Sequence, residues 1–181
     1  MALRGDRYSR GAIAFHWTIA ALVLFNLWLG LFGDSLPREW KVMPLHKSVG
    51  ITILALTLGR IAWRLTHKPP HLPDHMPGWE RTVAKTVHWI FYAALLILPL
   101  TGWLMSSNPE RPRPISYFFL FDLPVLPATP ALAKAAHQAH EVIGIAAAIL
   151  VGLHILGALR HHFLLRDRVL ARMLPWARRN G

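Results

Sequence analysis

The sequence predicts an all-α membrane protein: a four-transmembrane-helix bundle with both termini cytoplasmic. Three observations carry this expectation. The 181 residues are 54% hydrophobic and only 16% charged, with a mean hydropathy of +0.34, unlike an ordinary soluble domain or a disordered chain. The apolar residues fall in four blocks of about 20 residues, each about 30 Å long as a helix, which matches the hydrocarbon core of a bilayer. The 20 Lys and Arg are spread unevenly over the connecting segments, and the positive-inside rule then orients the chain.

The first block, residues 12–32, is interrupted only by His16, Thr18 and Asn26. It is too long for a signal peptide and no small-residue cleavage motif follows, so none is expected. The second block, 45–65, carries His46, Lys47, Ser48, Thr52, Thr57, Arg60 and Arg64. Its two arginines lie four apart near one end, where they can snorkel to the interface. The third block, 83–105, carries Lys85, Thr86, His88 and Thr101; Pro99 predicts a kink, with Gly102 just beyond. The fourth, 139–159, carries His140, Glu141 and His154. In lipid each must satisfy its own backbone hydrogen bonds, so each is a helix. Between the third and fourth blocks, residues 106–137 hold Pro109, Pro112, Pro114, Pro124, Pro127 and Pro130 and the run Tyr117-Phe118-Phe119. That predicts an irregular outer loop with interfacial aromatics. Lys68-Pro69-Pro70-His71-Leu72-Pro73 predicts an extended inner loop. Residues 160–181 form a basic tail, partly amphipathic from Phe163 to Trp176, suited to an anionic membrane surface.

Three basic residues (Arg4, Arg7, Arg10) precede the first block, five lie around the loop between the second and third, and six follow the fourth. The opposite side has six: Arg38, Lys41, Lys47, Arg111, Arg113 and Lys134. Fourteen bases with four acids on one side make it the cytoplasmic side, at +10; five acids leave the outer side at +1. The net +11 is therefore a signal of topology and of lipid-headgroup contact, and no nucleic-acid partner is expected. The chain has no Cys. That excludes a disulfide, a thiolate-held iron–sulfur cluster and covalent C-x-x-C-H haem attachment.

Five histidines fall inside the spans: His16, His46, His88, His140 and His154. An intramembrane ionisable residue is expensive and asks for a reason. An interhelical hydrogen bond would explain one, but five at matched depths call for more. His16 and His154 lie near the cytoplasmic ends of the first and fourth spans, while His46 and His140 open the second and fourth at the outer side. His140 and His154 are 14 residues apart, about 21 Å along a helix and about 40° short of a whole number of turns, so both face the bundle interior. Two bis-imidazole sites stacked across a four-helix bundle describe two non-covalent haems b, one per leaflet. His46-x-x-x-Gly50 and His140-x-x-x-Gly144 repeat one pattern. A glycine one turn from the ligand lets a flat macrocycle approach the backbone; small-residue helix packing is the alternative.

His88 sits at the level of His16 and His154. It is read as a spare near the inner haem or a quinone, with a swap for His16 kept open. His137 reads as interfacial, with substitution for His140 also open. A zinc or copper site would need three or four converging ligands, which two pairs at different depths do not supply. His67, His71, His75 and the adjacent His161-His162 could bind a surface metal, but they read first as a solvated polar face.

The ordered set Tyr8-Ser9-Arg10 with His16-Trp17, His46-x-x-x-Gly50 with Arg60 and Arg64, His88 with Pro99 and Gly102, His140-Glu141 with Gly144, Gly152-Leu153-His154, and His161-His162-Phe163 with Arg166-Asp167, Arg172-Met173 and Pro175 resembles the bacterial cytochrome b561 family of di-haem, quinone-linked cytochromes. The resemblance covers nearly the whole chain, as one transmembrane domain over 1–181. It implies a multi-pass protein of the bacterial inner membrane that carries electrons and has ubiquinone as a partner. The family's ligand pattern likewise pairs the first span with the fourth inside and the second with the fourth outside. Superoxide oxidase-like members imply a superoxide:ubiquinone oxidoreductase in place of a plain electron carrier. In them, a histidine after the last ligand and an inner-loop lysine help hold the quinone. His161 matches the histidine, seven residues past His154 and about 20° off its face on an α-helix. Pro70-His71-Leu72-Pro73-Asp74-His75 has no counterpart of the lysine.

The leading expectation is transmembrane electron transfer, from the His46/His140 haem to the His16/His154 haem and on to a quinone near His161. Arg10, Arg64 and Arg160 are candidates for propionate or quinone contacts. Lys47 and Lys134 are the local cations that could steer periplasmic superoxide. Two alternatives remain: a haem-b anchor subunit that docks a periplasmic dehydrogenase or soluble cytochrome, and a haem-free, proton-coupled transporter.

Overall fold

The computed structural model of the chain describes residues 7–67, 69–70 and 77–174. Arg4, Lys68, His71, Leu72, Pro73, Asp74, His75, Pro175 and Trp176, named above, and Asp6, Arg178 and Arg179, which enter the charge counts, lie outside the described residues. Four helices make up the bundle: α1 Arg10–Phe32, α2 Val42–Thr66, α3 Gly78–Ser106 and α4 Pro130–Leu159. All four are long and apolar enough to cross a membrane. α1 packs along α2, α2 along α3, and α3 along α4. α4 makes no comparable packing with α1 or α2, which it faces across the interior.

The outward faces are apolar and exposed, as lipid contact requires. On α4 the stripe Val142, Ile145, Ile149, Leu153 and Leu156 is 57–69% exposed. Its spacing of three and four residues keeps it on one side of the helix. The inner end of α1 is fixed by Ser9, whose Oγ accepts from the Ala12 N–H (3.3 Å) and from the Trp63 indole N–H (2.9 Å). Gly11 makes room for that indole: a Cβ there would collide with the Trp63 ring.

The structure differs from expectation in three places. α4 begins at Pro130, nine residues before the expected 139. Proline breaks a helix only in its interior; at the first helical position its missing N–H costs nothing. Thr129 caps the turn by accepting from the Leu132 N–H at 3.2 Å, an interaction worth about 1 kcal/mol. His137 and Lys134 therefore stand on a helix rather than in a loop. Second, the outer loop is a strap over α2. It carries a hairpin of β1 Ser116–Tyr117 and β2 Phe121–Asp122, with Tyr117 paired to Phe121. Buried Ser48 of α2 holds it: its Oγ donates to the carbonyls of Pro44 (2.9 Å) and Ser116 (3.2 Å), and accepts from the Phe118 N–H at 2.9 Å. A hydroxyl has only one proton, so the two carbonyls share it. Phe119 is exposed, as an interfacial aromatic should be. Tyr117 instead turns inward, its hydroxyl 3.1 Å from Thr52 Oγ1.

Third, the described part of the tail is hydrogen-bonded back onto the bundle, a contact the sequence did not signal. The Trp17 indole donates to the Met173 carbonyl at 2.7 Å, and the Arg7 guanidinium to the Leu174 carbonyl. The backbone of α4 also changes character after Leu159. Arg160–Leu164 is a π-helical turn, with the Leu165 N–H reaching back five residues to the Arg160 carbonyl at 3.1 Å. His161 thus leaves the α-helical phase on which the 20° offset from His154 was reckoned.

Candidate haem site

The structure gathers the span histidines at two levels. At the outer end the rings of His46 on α2 and His140 on α4 stand 6.1 Å apart, centre to centre, with planes at 82°. At the inner end the rings of His16 on α1 and His154 on α4 stand 6.4 Å apart at 69°. Two imidazoles that ligate one metal from opposite sides, with metal–nitrogen bonds of about 2 Å each, have ring centres about 6 Å apart. Both pairs meet that spacing. Among the described residues, no three His, Asp or Glu side chains converge on a point.

The outer histidines are held alike. His46 Nδ1–H donates to the Asn26 carbonyl of α1 at 3.1 Å, and a Cβ on Gly30 would stand 3.0 Å from His46 Cε1. His140 Nδ1–H donates to the Leu98 carbonyl of α3 at 2.9 Å, and a Cβ on Gly102 would stand 3.2 Å from His140 Cε1. In each case the ring reaches a carbonyl one turn before a glycine on a neighbouring helix, and the missing Cβ leaves the room. Thr101 Oγ1 adds a contact to His140 Nδ1 at 3.1 Å. With Nδ1 bonded to a carbonyl, Nε2 carries the lone pair that a metal needs. Sequence reasoning missed this seat. Gly30 drew no attention and Gly102 only as a neighbour of Pro99; no periodicity marks a glycine as lying under another helix's side chain.

The H-x-x-x-G glycines behave differently. A Cβ at Gly144 would meet no heavy atom within 4 Å, and one at Gly50 only Asn26 Nδ2 at 3.7 Å. They are not points of close helix packing, and each leaves a shallow cradle one turn from a histidine. Donor chemistry, ring spacing and cradles all fit haem held by paired imidazoles.

His16 and His154 make no hydrogen bond among the described residues. His88 joins them, its ring 6.0 Å from that of His154 at 85°. Its Nδ1–H donates to the Ala84 carbonyl of its own helix at 2.5 Å. Phe91 packs edge-on to His154 at 5.2 Å. Arg60 lies within electrostatic reach of all three inner histidines. The Arg60 and Arg64 guanidinium groups stand 5.5 and 5.9 Å from the centre of the Tyr92 ring. They line a cytoplasmic cleft with Tyr8, Ser9, Trp63 and Met173.

Other predicted residues fall elsewhere. Arg10 is exposed at the start of α1. Arg160 pairs with Glu80 of α3 at 3.2 Å, and His161 Nδ1 lies 2.5 Å from Asp167 Oδ2. Lys47 Nζ donates to the Arg113 carbonyl at 2.9 Å, and Lys134 is exposed. His137 and Glu141 form an exposed contact of 3.9 Å at the outer edge.

The profile of the prokaryotic cytochrome b561 family matches residues 7–176. Cytochrome b561 homolog 2 of Escherichia coli K12 is 34% identical over 175 residues, 93% of this chain and 92% of that protein. The probable superoxide oxidase CybB of Yersinia pestis is 31% identical over 177 residues, 93% of this chain and 96% of that protein. Cytochrome b562 of Cereibacter sphaeroides is 30% identical over 178 residues, 92% and 94% of the two chains. These matches displace the haem-free transporter as a reading. The chain belongs to the prokaryotic cytochrome b561 family, and it is a multi-pass, haem-b membrane cytochrome of the bacterial inner membrane that works in electron transfer.

Proposed function

We propose that this chain, acting as one transmembrane unit over its full length, holds two haems b and carries electrons from periplasmic superoxide to ubiquinone. His46 and His140 would hold the outer haem, and His16 and His154 the inner one. The observation that carries this reading is the recurrence of one ring spacing, 6.1 and 6.4 Å, at both ends of α4. Helix packing supports His16 over His88. Axes of directly packed helices lie about 8–10 Å apart, which leaves little room for a macrocycle between them. α3 packs directly on α4, whereas α1 and α2 face α4 across the interior. The ligand pairs therefore join helices with space between them, and His88 lines the inner site from the side.

Bound haem supplies one-electron chemistry at its iron. The chain supplies position and charge. The Nδ1–H bonds of His46 and His140 aim their Nε2 atoms, and Arg60, beside the inner histidines, with Arg64 offsets the carboxylates of a propionate-bearing cofactor. His161, at the cytoplasmic end of α4, is the quinone contact, with Arg10, Arg64 and Arg160 on the same side. The relative in Yersinia pestis, a probable superoxide oxidase by name, supports superoxide as donor. A periplasmic redox protein is the second reading, favoured by an outer charge of only +1, which steers an anion weakly. Rapid mixing of the purified, haem-loaded protein with superoxide separates them. Reduction within the mixing phase and reoxidation by a short-chain ubiquinone are expected. A protein that superoxide leaves oxidised, and that only a co-purifying partner reduces, sinks the superoxide reading.

A further inference from the structure

The π-helical turn at the end of α4 builds a His–Asp pair at the cytoplasmic face. Arg166 adopts a left-handed conformation (φ 52°), which costs a non-glycine residue about 1 kcal/mol. The reversal brings the Asp167 N–H onto the His161 carbonyl at 3.1 Å. It also brings the Asp167 carboxylate onto the His161 ring: Oδ2 lies 2.5 Å from Nδ1, with the two side chains only 8% and 17% exposed. The other oxygen, Oδ1, accepts from the Val169 N–H at 2.9 Å. Both carboxylate oxygens are thereby committed.

We propose that Asp167 is a positioning residue that sets the tautomer of His161 and makes it the proton donor to the quinone; this rests on the reading of His161 as the quinone contact. A carboxylate at Nδ1 keeps the proton on that nitrogen and stabilises an imidazolium, leaving Nε2 to exchange the second proton. Reducing ubiquinone to its quinol takes two electrons, which bound haem would supply one at a time, and two protons. For each proton, the Nε2–H bond of His161 breaks as an O–H bond forms on the quinone. Asp167 stays ionised, Nδ1 keeps its proton, and cytoplasmic water returns the one lost.

Asp167→Asn tests this. The single oxygen of Asn can keep the Val169 cap, but its amide NH2 then faces Nδ1 and drives the ring to the Nε2–H tautomer. The expected result is a fall in kcat for reduction of a short-chain ubiquinone of about 100-fold at near-wild-type KM, with haem content unchanged. His161→Ala falls as far, and the double variant no further. Asp167→Glu recovers part of the rate. Nitrogen-15 spectra of labelled histidine, with the His161 signal identified by its loss in His161→Ala, show the proton on Nδ1 in the native protein and on Nε2 in Asp167→Asn. Asp167→Ser, whose hydroxyl can hold the cap but cannot reach the ring, gives the same slow turnover if the Asn variant does not accumulate. Wild-type kcat in Asp167→Asn or Asp167→Ser, beside a slow His161→Ala, overturns the pair and leaves the quinone contact standing. Wild-type kcat in His161→Ala overturns the quinone contact itself, and the pair's role with it.

Discussion

At the outer end, His46 and His140 are each tied by Nδ1 to a carbonyl of a neighbouring helix and lie against a glycine, Gly30 or Gly102. At the inner end, His16 and His154 make no such bond; they are flanked by a third histidine, by Phe91 and by the charge of Arg60. The ring spacing is nearly the same, and the means of holding it are not. The outer pair is set by backbone geometry, and a hydrogen bond in the bilayer has no water to compete with. The inner pair lies close to cytoplasmic arginines and is tuned by charge. On this account the two ends respond to different substitutions.

The largest expected contrast lies within the inner cluster. His16→Ala should lose the inner haem altogether and His88→Ala should keep it, as read by haem per chain after purification. Loss in His88→Ala with retention in His16→Ala would exchange their roles. Next come the outer glycines. Gly30→Ala and Gly102→Ala place a Cβ 3.0 and 3.2 Å from the histidine rings, and overpacking of that kind costs about 1–3 kcal/mol. Outer-haem affinity should fall by about tenfold or more in a haem titration of the apoprotein, with the inner site unmoved. Equal weakening at both sites would break the comparison. The smallest effect is electrostatic. Arg60→Met removes a charge worth about 1–2 kcal/mol at about 10 Å and an effective dielectric of 20. Losing a cation favours the oxidised iron, so the inner potential should fall by about 50 mV, with a much smaller shift outside. Redox titration with the two haems resolved reads this directly.

Hydropathy and helix arithmetic go far here because lipid leaves the backbone few choices. The four spans, the level of each histidine and the shared face of His140 and His154 all follow from spacing along single helices. What escapes is whatever depends on two segments meeting. Pro130 looks like a loop marker until Thr129 is seen capping the turn it opens. Ser48 looks like a polar blemish in a span, yet it is the peg for the outer strap. The π turn at Arg160–Leu164 has no periodic signature, and it decides where His161 points. Gly30 and Gly102 matter for what lies over them, which only the packed bundle reveals.

The account turns on α4 holding one axial ligand of each of two haems. The most direct test is the haem-to-protein ratio, with the reduced-minus-oxidised spectrum, of the purified native chain beside His140→Ala and His154→Ala. Two haems b per native chain and one in each variant, with different halves of the b-type band lost, is the predicted result. A ratio of one in the native protein, or a band that neither substitution alters, would contradict it.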